Sequence, residues 1–87
     1  RVLVQHPAVA EACVVGAPDD KWGEVGRAFV VLKPGQTTDA ENIQSFCRGH
    51  LAKFKVPKYV EFTPELPKND AGKINRKLLK TLPRENQ

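Results

Sequence analysis

The sequence has few cysteines, no long apolar run and no internal repeat or low-complexity tract. Two cysteines are too few for the disulfide framework of a small secreted domain. Cys13 lies in an apolar run and Cys47 on a helical face. These positions are typical of buried thiols in a reducing compartment. We therefore expect a cytoplasmic protein. The absence of any run of about 18 apolar residues predicts no membrane span.

The chain is short and moderately basic. Its 87 residues are enough for one small domain with a core, but not for a deep pocket of its own. The net charge of +4 suits anionic ligands such as phosphates, CoA or a nucleic acid. A lysine-rich surface that only maintains solubility has the same charge. Charge alone therefore leaves the function open.

Apolar runs and capping signals predict a mixed fold. Runs 11–17, 27–33 and 58–62 are typical of strands. Thr38 and Glu41 form a capping-box pattern before a helix over 39–51, and Asn75 can cap a last helix. In that helix we expect leucines to face inward and basic residues outward: Leu78, Leu79 and Leu82 against Arg76, Lys77 and Lys80. The sequence predicts an α+β domain with a short, mostly antiparallel sheet of about three strands plus a hairpin, and helices packed on one face.

A lysine stands at a predicted tight turn in the segment LPKNDAGKINRKLL, residues 66–79. The residues 69–72 favour a turn, and Gly72 can take a positive φ without steric cost. Lys73 would then point away from the domain's own core and could reach an anion on another surface. An ordinary solvated turn lysine fits the same residues. A P-loop is excluded, because Pro67 and Ile74 stand where that motif needs Gly and Ser or Thr.

Two further segments combine aromatic and basic residues. Phe54 and Tyr59 lie among lysines that include Lys55 and Lys58, a combination that can stack on a base and pair with phosphates. The plain alternative is a connection into a strand, with Phe54 on the core. No RRM, KH or helix-turn-helix signature is present, so we predict no nucleic-acid partner. Trp22 can be a stacking surface or can cover the edge of the core.

No metal site is predicted from the sequence. Cys47 and His50 lie one helical turn apart, but no second pair has the spacing of a zinc site. The same pair lacks a third group that would orient the histidine for nucleophilic catalysis.

The order of the segments resembles a known family. The run from HPAVAEACVVGAPDDKWGEVGRAFVVLKPG through FKVPKYVEF to ELPKNDAGKINRKLL is similar to the C-terminal domain of acyl-adenylate-forming enzymes. These include acyl-CoA synthetases, the adenylation domains of peptide synthetases and beetle luciferases. The resemblance covers about residues 6–80. The last block is its most specific part, with matches at Leu66, Pro67, Gly72, Lys73, Ile74 and Arg76.

The resemblance implies a role for each candidate residue. In this family the small domain is a lid on a large N-terminal domain that binds ATP and a carboxylic acid. Lys73 would be the lysine that stabilises charge during adenylation, on the turn that Gly72 supports. In the second half-reaction the lid rotates and CoA lies against it. The matching positions are Trp22, Phe54 and Lys58, with Lys55 beside them. Val56 stands where some relatives carry an arginine, which removes one possible phosphate contact.

The resemblance also implies what surrounds this chain. FKVPKYVEF is the form found in CoA ligases, so residues 1–87 are expected to be the C-terminal lid of an ATP-dependent ligase for fatty or related acids. ATP and CoA would be co-substrates, and Mg²⁺ is expected with ATP in the N-terminal domain, which is this domain's partner. We expect the 87 residues alone to be inactive. The alternatives are the lid of a peptide-synthetase adenylation domain and a non-catalytic basic binding module.

Overall fold

The computed structural model describes residues 2–50 and 55–83. In chain order the elements are a 3₁₀ turn (Leu3–Gln5), β1 (Val9–Asp19), β2 (Gly23–Leu32), α1 (Ala40–Arg48), β3 (Tyr59–Phe62) and α2 (Arg76–Thr81). The three predicted strands and two predicted helices are all present, and the α+β class is confirmed. Neither helix in the described part is long or apolar enough to cross a membrane.

β1 and β2 form a long antiparallel hairpin. Their register runs from Val9 opposite Leu32 to Asp19 opposite Gly23, with a bulge between Val9 and Glu11. Both strands are longer than predicted, because β1 continues through Pro18 and Asp19 and pairs there with Glu24 and Gly23 at the start of β2. Gly23 has a φ of +79°, which a glycine adopts readily, and it returns the chain from the turn into β2.

β3 lies beside β2 and runs parallel to it, so the sheet order is β1-β2-β3. Arg27 pairs with Tyr59 at one end of this ladder and Val30 with Phe62 at the other. α1 lies between the two strands in sequence and makes the crossover that a parallel pair requires. The sheet is therefore mixed, with its longer pairing antiparallel.

The sheet is covered on both faces, which corrects the expectation that the helices share one face. Alternate residues of β2 enter two separate clusters: Ala28 and Val30 pack with Ile43 and Cys47 of α1. Phe29 and Val31 pack instead with Cys13, Val15, Leu66 and Leu79. Because successive side chains of a strand point to opposite faces, α1 and α2 lie on opposite sides of the sheet. The unbroken apolar run of β2 follows from this burial on two sides.

The start of α1 differs from the capping-box prediction. The N-cap is Asp39 and not Thr38, and the Asp39 carboxylate accepts a hydrogen bond from the Asn42 N–H at 2.8 Å. His6 also fixes this helix, since its Nε2 lies 2.8 Å from the Asn42 Oδ1. The Ala8 N–H donates to His6 Nδ1, so Nε2 carries the proton and donates to Asn42.

α2 begins as predicted but faces the sheet with fewer residues than expected. Asn75 is its N-cap and accepts from the Leu78 N–H at 3.0 Å. Leu79 is buried, whereas Leu78 and Leu82 are 44% and 40% exposed. The inward prediction was therefore wrong for these two leucines. A helix of six residues makes fewer than two turns, so few of its positions can face the sheet.

Candidate functional site

A small hairpin carries Lys73. Lys68 and Ile74 form an isolated antiparallel bridge, and the chain turns between them. Asn69 holds the turn from inside: its Oδ1 accepts from the Ala71 and Lys73 N–H groups at 2.9 and 3.1 Å. Its own backbone N–H donates to the Lys73 carbonyl at 2.8 Å, and its carbonyl accepts from Gly72 at 2.9 Å. The backbone around Lys73 is therefore closely fixed.

The predicted turn geometry at Gly72 and Lys73 is confirmed. Gly72 has a φ of +79°, in the left-handed region that favours glycine. Lys73 is exposed. Within residues 2–50 and 55–83, its ammonium makes no hydrogen bond or ion pair. Lys73 thus combines a fixed backbone with a side chain directed to solvent.

The hairpin is attached along the edge of β1. Lys68 Nζ lies 3.2 Å from Glu11 Oε1, in a pair with both side chains more than 40% exposed. The Arg76 guanidinium donates to Cys13 Sγ at 3.2 Å and to the carbonyl of Val14. Arg76 is exposed, as predicted, and these contacts with β1 are an addition that the sequence did not indicate. Its partners lie more than 60 residues away in sequence, where no local pattern reveals them.

At the far end of β1, one carboxylate joins two of the proposed CoA residues. Asp19 Oδ2 accepts from the Lys21 and Trp22 N–H groups at 3.1 and 2.9 Å, which shapes the turn. Asp19 Oδ1 accepts from Lys58 Nζ at 2.8 Å. The Lys58 ammonium, followed by the Trp22 N–H, lowers the pKa of Asp19 below its ordinary value. The structure therefore brings Trp22 and Lys58 to the same end of the sheet.

This end of the sheet presents aromatic and cationic groups to solvent. Trp22 is 67% exposed, so it does not cover the core. Lys21 Nζ lies 5.1 Å from the centre of the indole ring, and Lys58 Nζ lies 5.8 Å from that of Tyr59. A depression of about 320 Å³ is lined by Pro18, Asp19, Asp20, Lys21, Lys58 and Tyr59. Lys55 is exposed, and Phe54 lies outside the described residues.

A buried arginine network was not predicted from the sequence. Arg27 is 3% exposed and makes a two-pronged pair with Glu61, with Nη2 to Oε1 at 2.9 Å. The same guanidinium donates to the carbonyls of Leu82 and Pro83, just after α2. The sequence signal for this network is Arg27 itself, a charged residue at the start of the apolar strand run 27–33. Arg27 thereby ties the end of α2 to β2 and β3.

The residues that the structure describes contain no group of three or more His, Cys, Asp or Glu side chains able to hold a metal ion. Cys47 is buried, and burial raises the pKa of its thiol. His50 instead donates from Nδ1 to the Phe46 carbonyl at 2.9 Å and stacks on the Phe46 ring. We assign no metal ligand in this part of the chain.

Comparison with known proteins identifies the family. The family model for the AMP-binding enzyme C-terminal domain matches residues 1–73. The chain belongs to this family. The match ends on Lys73, just after the turn of the hairpin, and it includes the Trp22 turn and β3. The predicted resemblance is thereby confirmed.

Two similar relatives are named as ligases. A 2-succinylbenzoate–CoA ligase of Bacillus cereus (strain Q1) is 55% identical over 84 residues, which are 97% of this chain and 17% of that protein. The fatty acid–[acyl-carrier-protein] ligase ScoC of Streptomyces coeruleorubidus is 49% identical over 79 residues, 91% of this chain and 15% of the relative. The chain thus spans about one-sixth of the length of the curated relatives it matches.

Solved structures of similar proteins have the same fold. The amide bond synthetase McbA from Marinactinospora thermotolerans superposes with a TM-score of 0.89 at 40% identity, covering 92% of this chain and 16% of that one. The Mycobacterium tuberculosis fatty acyl CoA synthetase gives a TM-score of 0.82 at 38% identity, with coverage of 91% and 16%. The fold described above is therefore that of one part of much longer enzymes.

Proposed function

We propose that residues 1–87 are the C-terminal lid of an ATP-dependent acyl-CoA ligase, and that Lys73 is its adenylation lysine. The observation that carries the proposal is the Lys73 hairpin, with its fixed backbone and solvent-directed ammonium, in a chain of the AMP-binding family. Neither this hairpin nor its lysine lines the depression beside Phe62 or the one beside Lys58. Because Lys73 is exposed and not directed into this domain's core, the proposal has it act on substrates bound to the N-terminal domain.

Lys73 would serve the first half-reaction. A carboxylate oxygen of the acid attacks the α-phosphorus of ATP, the bond to the bridging oxygen breaks, and pyrophosphate leaves with the electron pair. Negative charge is concentrated on the phosphoryl oxygens and the attacking carboxylate during this step. An ammonium in a closed, water-poor site stabilises that charge. It also holds two anionic reactants together that would otherwise repel each other. Mg²⁺, which accompanies ATP, is assigned to the N-terminal domain.

The Trp22 end of the sheet would serve the second half-reaction. There the CoA thiol attacks the acyl carbonyl, loses its proton, and AMP leaves. The exposed indole can stack on adenine, and Lys58 can meet the phosphates of the nucleotide. The depression beside them adds Lys21 and Tyr59 to the candidates. Phe54 and Lys55 remain proposed members of the same surface.

The experiment uses the full-length ligase that carries this domain. ATP–pyrophosphate exchange is measured with a panel of carboxylic acids for the wild type, for Lys73→Ala, and for Lys77→Ala as a matched exposed lysine. We expect acid-dependent exchange that falls about 10²–10³-fold in Lys73→Ala, as on loss of one charge-stabilising donor, and is unchanged in Lys77→Ala. Thioester formation from supplied acyl-adenylate should survive in both. Full exchange in Lys73→Ala would contradict the proposed role.

The acceptor is tested separately, because the relatives' names include CoA ligases, a carrier-protein ligase and an amide bond synthetase. CoA, an acyl carrier protein and simple amines are offered to the adenylated enzyme. With CoA as acceptor, Trp22→Ala should raise the KM for CoA about 5- to 150-fold, the range for loss of one stacking contact. Lys58→Ala should raise it too, and Lys33→Ala serves as the exposed control. An unchanged KM in both variants would remove this surface from the CoA site.

A further inference from the structure

The start of α2 lies three residues after Lys73 and is bound to the edge of the sheet by Arg76. We propose that Arg76 is a positioning residue for adenylation, which sets the location of Lys73 relative to β1. The inference rests on the proposed role of Lys73. In this role Arg76 attaches the hairpin to β1 and does not contact the reacting atoms.

The contacts of Arg76 are directional. Nη1 lies 3.2 Å from Cys13 Sγ, and Nη2 donates to the Val14 carbonyl. β1 is an edge strand of the sheet, and an edge strand leaves carbonyls without a strand partner. One guanidinium with donors in a fixed fork reaches two neighbouring residues of β1 at once. The start of α2 is thereby fixed in both position and orientation on the strand.

The segment between Arg76 and Lys73 is short and leaves little freedom. Ile74 is bridged to Lys68 and packs against the cluster under α2. The Asn75 N–H donates to the Pro67 carbonyl at 2.8 Å. A displacement at Arg76 is therefore transmitted to Lys73, at most about 11 Å away along the chain. A misplacement of about 1 Å in a catalytic group can cost about 10²-fold in rate.

The other polar link between the hairpin and β1 cannot replace Arg76. Lys68 and Glu11 are joined by a single contact of 3.2 Å, and their side chains are 41% and 45% exposed. Exposed pairs of this kind contribute little to stability and do not hold one geometry. Arg76 is exposed as well, but its guanidinium donates to a backbone carbonyl whose position is set by the sheet. Among the polar contacts described, it is the one that defines the placement of the hairpin.

The test compares the two half-reactions in the full-length ligase. Arg76→Ala, Arg76→Lys, Lys77→Ala and the double variant Lys73→Ala/Arg76→Ala are assayed for single-turnover adenylate formation and for thioester formation from supplied acyl-adenylate. We expect adenylation to fall about 10- to 100-fold in Arg76→Ala. The loss should be smaller in Arg76→Lys, which keeps the charge but has one donor nitrogen. Thioester formation should stay within about 2-fold of wild type in every variant.

The double variant separates positioning from general damage. If Arg76 acts only through Lys73, the double variant should adenylate no more slowly than Lys73→Ala alone. Equal losses in both half-reactions would show a folding role and overturn the inference, as would unchanged adenylation in Arg76→Ala. If Lys73→Ala itself retains adenylation, the proposed function fails first. If only the Arg76 variants behave like wild type, this inference fails alone.

Discussion

The buried pair between Arg27 and Glu61 is expected to dominate the stability of the domain's C-terminal end. Arg27→Met removes the guanidinium and keeps an apolar side chain of similar length. It leaves the Glu61 carboxylate, 17% exposed, without its partner, and it releases the Leu82 and Pro83 carbonyls. We expect a large loss of stability, because a partly buried charge is left uncompensated.

The magnitude follows from the burial. Removing one partner of a buried ion pair costs about 3–5 kcal/mol, and the partial exposure of Glu61 favours the lower end, about 3 kcal/mol. A domain of this size has a total stability of about 4–13 kcal/mol. The substitution therefore removes about a quarter of the stability or more. With an m-value of about 1–1.5 kcal/mol per M, the urea midpoint should fall by about 2–3 M.

Urea unfolding followed by circular dichroism at 222 nm measures this change. Trp22 fluorescence is a poor probe, since the indole is 67% exposed in the folded state. Glu61→Gln and the double variant Arg27→Met/Glu61→Gln complete a double-mutant cycle, and we expect a coupling energy above about 1 kcal/mol. A loss below about 1 kcal/mol in Arg27→Met, or single-variant losses that simply add, would refute the network described here.

Three further outcomes are expected. Asp39→Ala should lower the stability by about 1 kcal/mol and Thr38→Ala by less than about 0.5 kcal/mol in urea unfolding, because Asp39 is the cap; equal effects would contradict this. Lys58→Met should raise the pKa of Asp19 toward its ordinary value of 3.8, as followed by carboxyl NMR, and an unmoved pKa would show that Lys58 is not the cause. Gly72→Ala should cost about 1–2 kcal/mol through its left-handed φ alone, since an added Cβ meets no atom within 4 Å; a neutral effect would contradict the turn geometry.

The Asp19 pair also predicts a pH dependence of stability. The folded-state pKa of Asp19 lies below its unfolded-state value of 3.8, so the folded state favours the ionised carboxylate. Its contribution is complete above the unfolded-state pKa and is lost as the pH falls toward the lower folded-state pKa. Below pH 5, the free energy of unfolding should therefore decrease less steeply with falling pH in Lys58→Met than in wild type. The same pH dependence of the free energy of unfolding in both proteins would argue against the pairing.

Most of the fold could be predicted from local patterns. The strands follow from their apolar runs, α2 from its cap, and the Lys73 turn from its glycine and asparagine. The order strand–helix–strand around α1 also indicates a parallel pair. Burial of β2 on both faces was visible in its unbroken apolar run. That run was interpreted only as a buried strand, so both helices were assigned to one face.

The rest depended on contacts between residues distant in sequence. Asp19 lies just beyond the predicted strand run 11–17, but its pairing with Lys58 joins positions 39 residues apart. Arg76 was assigned to the outer face of a helix, because helical periodicity carries no information about a strand edge 60 residues earlier. Thr38 matches the capping-box pattern, and the neighbouring Asp39 is also a favourable N-cap residue. Which of the two caps the helix depends on the backbone geometry, which the sequence does not show.

β1 holds the attachment point of the Lys73 hairpin at Cys13 and Val14, and the carboxylate of the Trp22 turn at Asp19. Five residue-to-residue steps of about 3.3 Å separate Val14 from Asp19 by about 17 Å. The strand is thus a spacer of fixed length. One inserted residue would lengthen it by a whole step and turn every following side chain to the other face. Related sequences should therefore vary in length in the connection 33–39 or after residue 81, and keep the interval 13–19 constant.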